Sequence, residues 1–224
     1  MKHVIITGAG SGLGAELAKL YACKGFHIIL LGRTKSRLEK AKNEIEELRG
    51  KATIFTCNVA NYADVERVIE EIAKQFPSIN GVINNAGVGY FGNLEQLTEQ
   101  EINEMIDTNV KGTIYLTSKV LPLLRKAEQA KIMNIISTAG LRGKVNESVY
   151  VASKFAVRGF TESLVKEFAD TNIAVTAVYM GGMSTPFWEG SNHIKDSSRL
   201  KDPKFVAEKI INEDNGQPEI FIDR

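Results

Sequence analysis

The chain has 224 residues, 43% of them apolar and 25% charged, an average globular composition that excludes a disordered or collagen-like polypeptide. Lys and Arg number 28 against 27 Asp and Glu, a formal net charge of +1, so no global field recruits nucleic acid or an acidic membrane. Cys23 and Cys57 make neither a disulfide framework nor a metal-ligand spacing, and the longest apolar stretch, around His27 to Leu31, is far too short to span a bilayer. With only Met1, Lys2 and His3 ahead of the first apolar run, the expectation is a soluble, cytoplasmic, enzyme-sized protein with no leader.

Apolar runs suited to buried strands alternate with stretches of helical period, the pattern of βαβ units around a parallel sheet. The strands are predicted at Val4–Ile6, His27–Leu31, Thr53–Phe55, Gly81–Ile83, Ile132–Ile136, Ile173–Tyr179 and Glu219–Ile222. Between them, Ser36 with Glu39 reads as a capping box ahead of Leu38, Ala41, Ile45 and Leu48. Asn61 caps a helix with the stripe Val65, Val68, Ile69, Ile72 and Phe76, and Thr98 with Glu101 forms a second capping box. A long helix runs from about Ser148 to Asp170, and Asp202-Pro203 opens a late one. No repeat or linker interrupts the pattern. Residues 1–224 therefore read as a single α/β domain, a Rossmann-like doubly wound parallel sheet with helices on both faces.

Gly8, Gly10, Gly12 and Gly14 follow the first strand and open the first helix. Gly8 and Gly12 permit a tight turn and close backbone approach to a pyrophosphate, Gly14 permits close helix–strand packing, and the helix N-terminus favours the negative charge. The end of the second strand carries Gly32-Arg33 and no carboxylate until Glu39. An acid there would take a free ribose 2′-hydroxyl, whereas an arginine accommodates a 2′-phosphate, so NADP(H) is expected over NAD(H).

Reduction of a carbonyl needs an acid for its oxygen, and a tyrosine serves when a fixed cation eases its ionisation. Tyr and Lys at i and i+4 share one helix face. Two such pairs occur, Tyr115 with Lys119 and Tyr150 with Lys154. Tyr150 begins a helix soon after the fifth strand, whose end carries Ser137. Tyr115 lies well inside its helix with no strand-end hydroxyl upstream, so it is assigned to packing.

The glycine loop from Thr7 to Gly14, Asn84-Asn85-Ala86-Gly87 after the fourth strand, Asn109, Ser137 and Tyr150 with Lys154 together resemble the short-chain dehydrogenase/reductase family, in order and spacing, from residue 4 to about 185. The resemblance implies a tetrad. Tyr150 would be the acid–base residue, Ser137 would polarise the carbonyl, Lys154 would bind the nicotinamide ribose and lower the tyrosine pKa, and Asn109 would hold a proton-relaying water. It also implies cofactor contacts from Gly8, Ser11, Gly12, Leu13, Gly14, Arg33, Asn58, Val59, Asn85, Ala86, Gly87, Gly181, Met183 and Thr185. Two motifs depart from the family: Asn58 stands where an aspartate is usual, and Met180 where a proline is, which adds freedom to that turn. Such proteins are often homodimers or homotetramers packed over the helices carrying Asn109 and Tyr150.

Substrate contacts are expected from Val88–Asn93, Ala139–Glu147 and a short lid at about 182–202, in which His193 is taken as a mobile surface residue. The leading reading is an NADPH-dependent reductase of a small ketone or aldehyde. A 3-oxoacyl-(acyl-carrier-protein) reductase is the alternative enzyme, and a non-catalytic NADP(H) sensor the alternative of another class.

Overall fold

The computed structural model describes residues 1–223. Seven strands form one all-parallel sheet: β1 (His3–Thr7), β2 (His27–Gly32), β3 (Lys51–Thr56), β4 (Gly81–Asn84), β5 (Ala130–Ile135), β6 (Ile173–Tyr179) and β7 (Glu219–Phe221). Their spatial order is 3-2-1-4-5-6-7, so β1 pairs with β2 on one side and β4 on the other. The order reverses between β1 and β4, and the carboxyl ends diverge there into a crevice.

Helices cover both faces, which is why the strands read as continuous apolar runs instead of alternating. Side chains still alternate in direction. Ile6, Ile28 and Leu30 face α1 (Gly12–Cys23), α2 (Lys35–Glu47) and α7 (Pro203–Glu213), meeting Leu17, Leu38 and Ile210. Ile5, Ile29 and Leu31 face α3 (Tyr62–Gln75), α5 (Gly112–Leu124) and α6 (Ser148–Glu167), meeting Ile72, Val120 and Leu164. Burying each such side chain contributes about 1.5–3 kcal/mol, and the two cores together hold the strand ends that frame the site.

Three helix starts form as their sequences predict. Asn61 accepts a hydrogen bond from the Asp64 amide, Thr98 and Glu101 close a capping box at α4 (Glu99–Met105), and Asp202 accepts from the Lys204 amide with Pro203 at the first helical position. The Ser36 capping box does not form. Helix α2 starts two residues earlier, after Thr34, and Glu39 pairs with Lys35 at 3.6 Å instead. Leu48 ends that helix exposed, outside the buried stripe of Leu38, Ala41 and Ile45. Between α4 and α5 the chain makes a π-helical turn, Ile106–Lys111, which no local sequence signal announced. No helix of the described residues is long and apolar enough to cross a membrane.

Candidate active site

The carboxyl ends of β1, β2, β4, β5 and β6 open into a cleft of about 580 Å³. At its floor, Gly8 and Gly12 take φ of 62° and 55°, the left-handed region that glycine enters without a Cβ penalty. A Cβ on Gly14 would lie 2.4 Å from the Gly8 carbonyl oxygen and 2.5 Å from Asn85 Nδ2, so only glycine lets α1 close on this loop. Thr7 Oγ1 accepts from the amides of Asn85 and Ala86, each at 2.9 Å, and Asn85 Nδ2 donates to the Thr7 carbonyl at 2.9 Å. These bonds lock the glycine loop to the end of β4. Ser11 precedes α1 without its side chain capping the helix, and no acidic residue sits in the first turn, so the Leu13 and Gly14 end of the loop presents its positive pole to the cleft. The cradle fits a pyrophosphate.

Past the end of β2, Arg33 borders the cleft with Asn58 and Val59. The Asn58 side chain accepts from the Ala60 amide at 3.2 Å, and Val59 is buried against Gly112. Sequence reading missed two residues here. Glu104, from α4, accepts from Arg33 at 3.2 Å and from the Tyr90 hydroxyl at 2.7 Å. That carboxylate pushes the Tyr90 phenol up to about 12. Arg37, in the first turn of α2, crowds Gly10 and lies 3.7 Å from Glu189 on the far wall. Glu104 is remote in sequence, so only tertiary packing reveals it. Arg37 was legible as the third basic residue after β2, behind Arg33 and Lys35.

The catalytic candidates meet on the opposite side. Burial pushes the Tyr150 phenol well above its usual value, a hydrogen bond with the Ser137 hydroxyl pulls it back, and the Glu147 charge adds to the rise. Lys154 Nζ donates to the Ile135 carbonyl at 3.2 Å and lies 5.7 Å from the Tyr150 ring centroid. Burial lowers its pKa to about 8. Asn109 sits in the π-helical turn. Its Oδ1 accepts from the Val88 amide at 2.8 Å, while Nδ2 donates to the Val88 carbonyl at 2.9 Å and to Ser153 Oγ at 3.0 Å. A Cβ on Gly87 would stand 3.3 Å from Asn109 Oδ1 and 3.7 Å from Lys154 Nζ, so Gly87 separates the two residues. The Tyr115–Lys119 pair is elsewhere: Tyr115 packs edge-on against Tyr62 at 5.2 Å, and Lys119 pairs with Glu66.

Ser137 has φ 148° and ψ 160°, a conformation that is essentially glycine's own and costs about 1–3 kcal/mol for other residues. The strain points its Oγ at the Ala139 amide, 3.1 Å away, beside Tyr150. We expect S137G to be more stable than S137A by about 1 kcal/mol in urea unfolding, the reverse of the usual order, because both lose the hydroxyl but only glycine relieves the strain. A more stable S137A would contradict the strain.

The turn after β6 is not loose, although it lacks the expected proline. The Met180 carbonyl accepts from the Thr138 amide at 2.9 Å, and the Gly181 amide donates to Asp223 Oδ2 at 2.8 Å. Met183 is buried, and Thr185 packs over Gly12 at the glycine loop. Beyond it the chain folds inward. Phe187 lies 5.8 Å from the Tyr150 ring, Phe91 lies 5.4 Å from it, and Trp188 stacks on Phe91. His193, expected mobile at the surface, is instead half-buried: it stacks on Phe91 and bonds Glu147 at 3.0 Å. The short lid thus covers the tyrosine, which is only 7% exposed. Among the described residues no group of His, Cys, Asp and Glu could hold a metal.

Residues 2–196 match the family model described as short chain dehydrogenase. The chain is 34% identical to a sepiapterin reductase of Chlorobaculum tepidum, over 94% of this chain and 89% of that protein. It is 33% identical to a 3-oxoacyl-(acyl-carrier-protein) reductase of Thermotoga maritima, over 84% of this chain and 76% of that protein. The solved structure of an alcohol dehydrogenase from the archaeon Thermococcus sibiricus, complexed with 5-hydroxy-NADP, superposes with a TM-score of 0.90 at 25% identity, covering 99% of this chain and 96% of that one. With the family model covering most of its length and a relative 34% identical over 94% of it, the chain belongs to the short-chain dehydrogenase/reductase family of oxidoreductases.

Proposed function

We propose that the protein is an NADP(H)-dependent carbonyl reductase acting on a small ketone or aldehyde. The observation that carries this reading is the Ser137–Tyr150–Lys154 cluster, buried at one end of a cleft whose other end is the glycine cradle. When bound, the reduced nicotinamide supplies a hydride to the carbonyl carbon.

The chain's own residues do the rest. The first turn of α1 would bind the pyrophosphate, and Gly87, Gly181, Met183 and Thr185, which line the cleft, would hold the nicotinamide portion. Ser137 Oγ and Tyr150 Oη converge on the carbonyl oxygen, and Tyr150 gives it the proton. Lys154, charged below about pH 8, stabilises the phenolate left behind and holds the ribose. Asn109 is a positioning residue: by clamping Val88 to Ser153 it sets the wall on which Lys154 lies, and the water it would hold relays the replacement proton. Exposed Phe155 on α6 and Ile114 on α5 suit a homodimer or homotetramer across those helices.

Arg33 and Arg37 suit a 2′-phosphate, and Arg33 exchanges Glu104 for it. R33A should therefore weaken NADPH binding about tenfold and leave NADH binding nearly unchanged, because a charge-assisted bond to phosphate is worth about 1.5–3 kcal/mol. The test is an NADPH-oxidation screen over ketones, aldehydes, quinones and β-ketoacyl thioesters, repeated with NADH and with R33A. Turnover with NADPH supports the reading. Equal rates with NADH would sink the cofactor assignment, and no oxidation with any carbonyl would sink the reductase itself.

A further inference from the structure

Glu147 precedes α6 at the position where a carboxylate ordinarily caps the helix, yet its side chain makes no capping bond. It turns into the cleft instead, nearly buried and close enough to raise the Tyr150 pKa. One carboxylate oxygen takes the His193 imidazole at 3.0 Å. The other lies 3.9 Å from Lys144, whose Nζ donates to Thr138 at 3.0 Å. The imidazole also lies flat on Phe91, with centroids 4.6 Å apart and planes 17° apart, while Trp188 stacks on the same phenyl ring at 5.1 Å. So a flat nitrogen heterocycle, stacked on an aromatic face and bonded to a buried carboxylate that lines the cleft, already packs beside Tyr150, and the chain supplies it itself.

We propose that the substrate is a planar nitrogen-heteroaromatic carbonyl compound whose ring takes the place of His193 on Phe91 and whose ring N–H donates to Glu147. This rests on the carbonyl-reductase reading. Its selectivity follows from the cost of stranding a buried carboxylate. A ligand that expels His193 without supplying an N–H leaves Glu147 with Lys144 alone, so ketones lacking the donor bind poorly. An extended acyl thioester has neither the flat face nor the donor. His193 is a built-in competitor, and removing it relieves the ligand of displacing it.

Trp188 is the chain's single tryptophan, so its emission reports occupancy of this slot directly. The protein is titrated, with excess NADP+ present, with indole-2,3-dione, its N-methyl derivative and acetoacetyl-CoA, and turnover of each with NADPH is measured in parallel. The expected result is saturable quenching by the N–H dione, about tenfold or more tighter than by the N-methyl compound. E147Q shrinks that ratio to a few-fold, and H193A tightens binding of the N–H dione several-fold. Equal affinity for the two diones, or weaker binding in H193A, overturns the proposal. Turnover of the thioester with neither dione bound also overturns it and leaves the reductase reading standing. N–H selectivity in binding, with no NADPH oxidation by any carbonyl, upholds the slot and overturns the reductase reading.

Discussion

Replacing Tyr150 with phenylalanine is expected to lower kcat for carbonyl reduction by at least about a hundredfold, the scale of a lost general acid, with NADPH binding nearly unchanged. The ring itself is packing: it lies against Phe91 and Phe187 and its face is near Lys154, contacts that phenylalanine keeps. Only the hydroxyl, with its Ser137 bond, disappears. Steady-state kinetics read the first effect and cofactor titration the second. A variant that keeps most of its turnover would remove Tyr150 from the chemistry, while one that loses cofactor binding as well would point to a folding defect.

Lys154→Met separates catalysis from stability, and the two should move in opposite directions. Turnover should fall about a hundredfold or more, because only the Ser137 hydroxyl is then left to stabilise the phenolate. The stability effect has a definite sign. Burial lowers the folded pKa of Lys154 to about 8 against 10.5 for the ordinary group. Between those values the unfolded chain holds the proton and the folded one does not, so stability rises with pH across that window. Below about pH 8 the buried ammonium is a constant cost. K154M should therefore be more stable than the parent at pH 7, by about 1–3 kcal/mol once the lost bond to the Ile135 carbonyl is deducted, with the gap closing toward pH 10. Urea unfolding at the two pH values checks it. A gap that widens as pH rises would contradict the burial of a destabilised cation.

The β strands were legible because both faces of the sheet are covered, which writes a buried strand as an apolar run bounded by turn residues. Caps carried by Asn61, Thr98 and Asp202 were equally local, since donor and acceptor lie within three residues. Ser36 misled because the same local rule allowed two starts, and the helix took Thr34. The glycine loop, Ser137, Tyr150 and Lys154 could be read as candidates because the loop and Ser137 follow strand ends and the Tyr–Lys pair shares one helix face. What escaped was whatever depends on packing between distant segments. Glu104 reaches Arg33 and Tyr90 across the cleft, Asp223 replaces a missing proline by holding Gly181, and His193 is drawn inward by Glu147 and Phe91. The strain at Ser137 was invisible for a related reason: a serine that adopts a glycine's backbone leaves no trace in residue type.

The most direct test of hydride transfer governed by Tyr150 uses NADPH deuterated at nicotinamide C4, prepared as the two stereoisomers, with a carbonyl substrate found in the screen. Mass spectrometry of the alcohol is expected to show one deuterium on the carbinol carbon from one stereoisomer alone, formed by the parent protein and about a hundredfold more slowly by Y150F. An alcohol without deuterium from either stereoisomer, or equal rates in Y150F, would contradict the account.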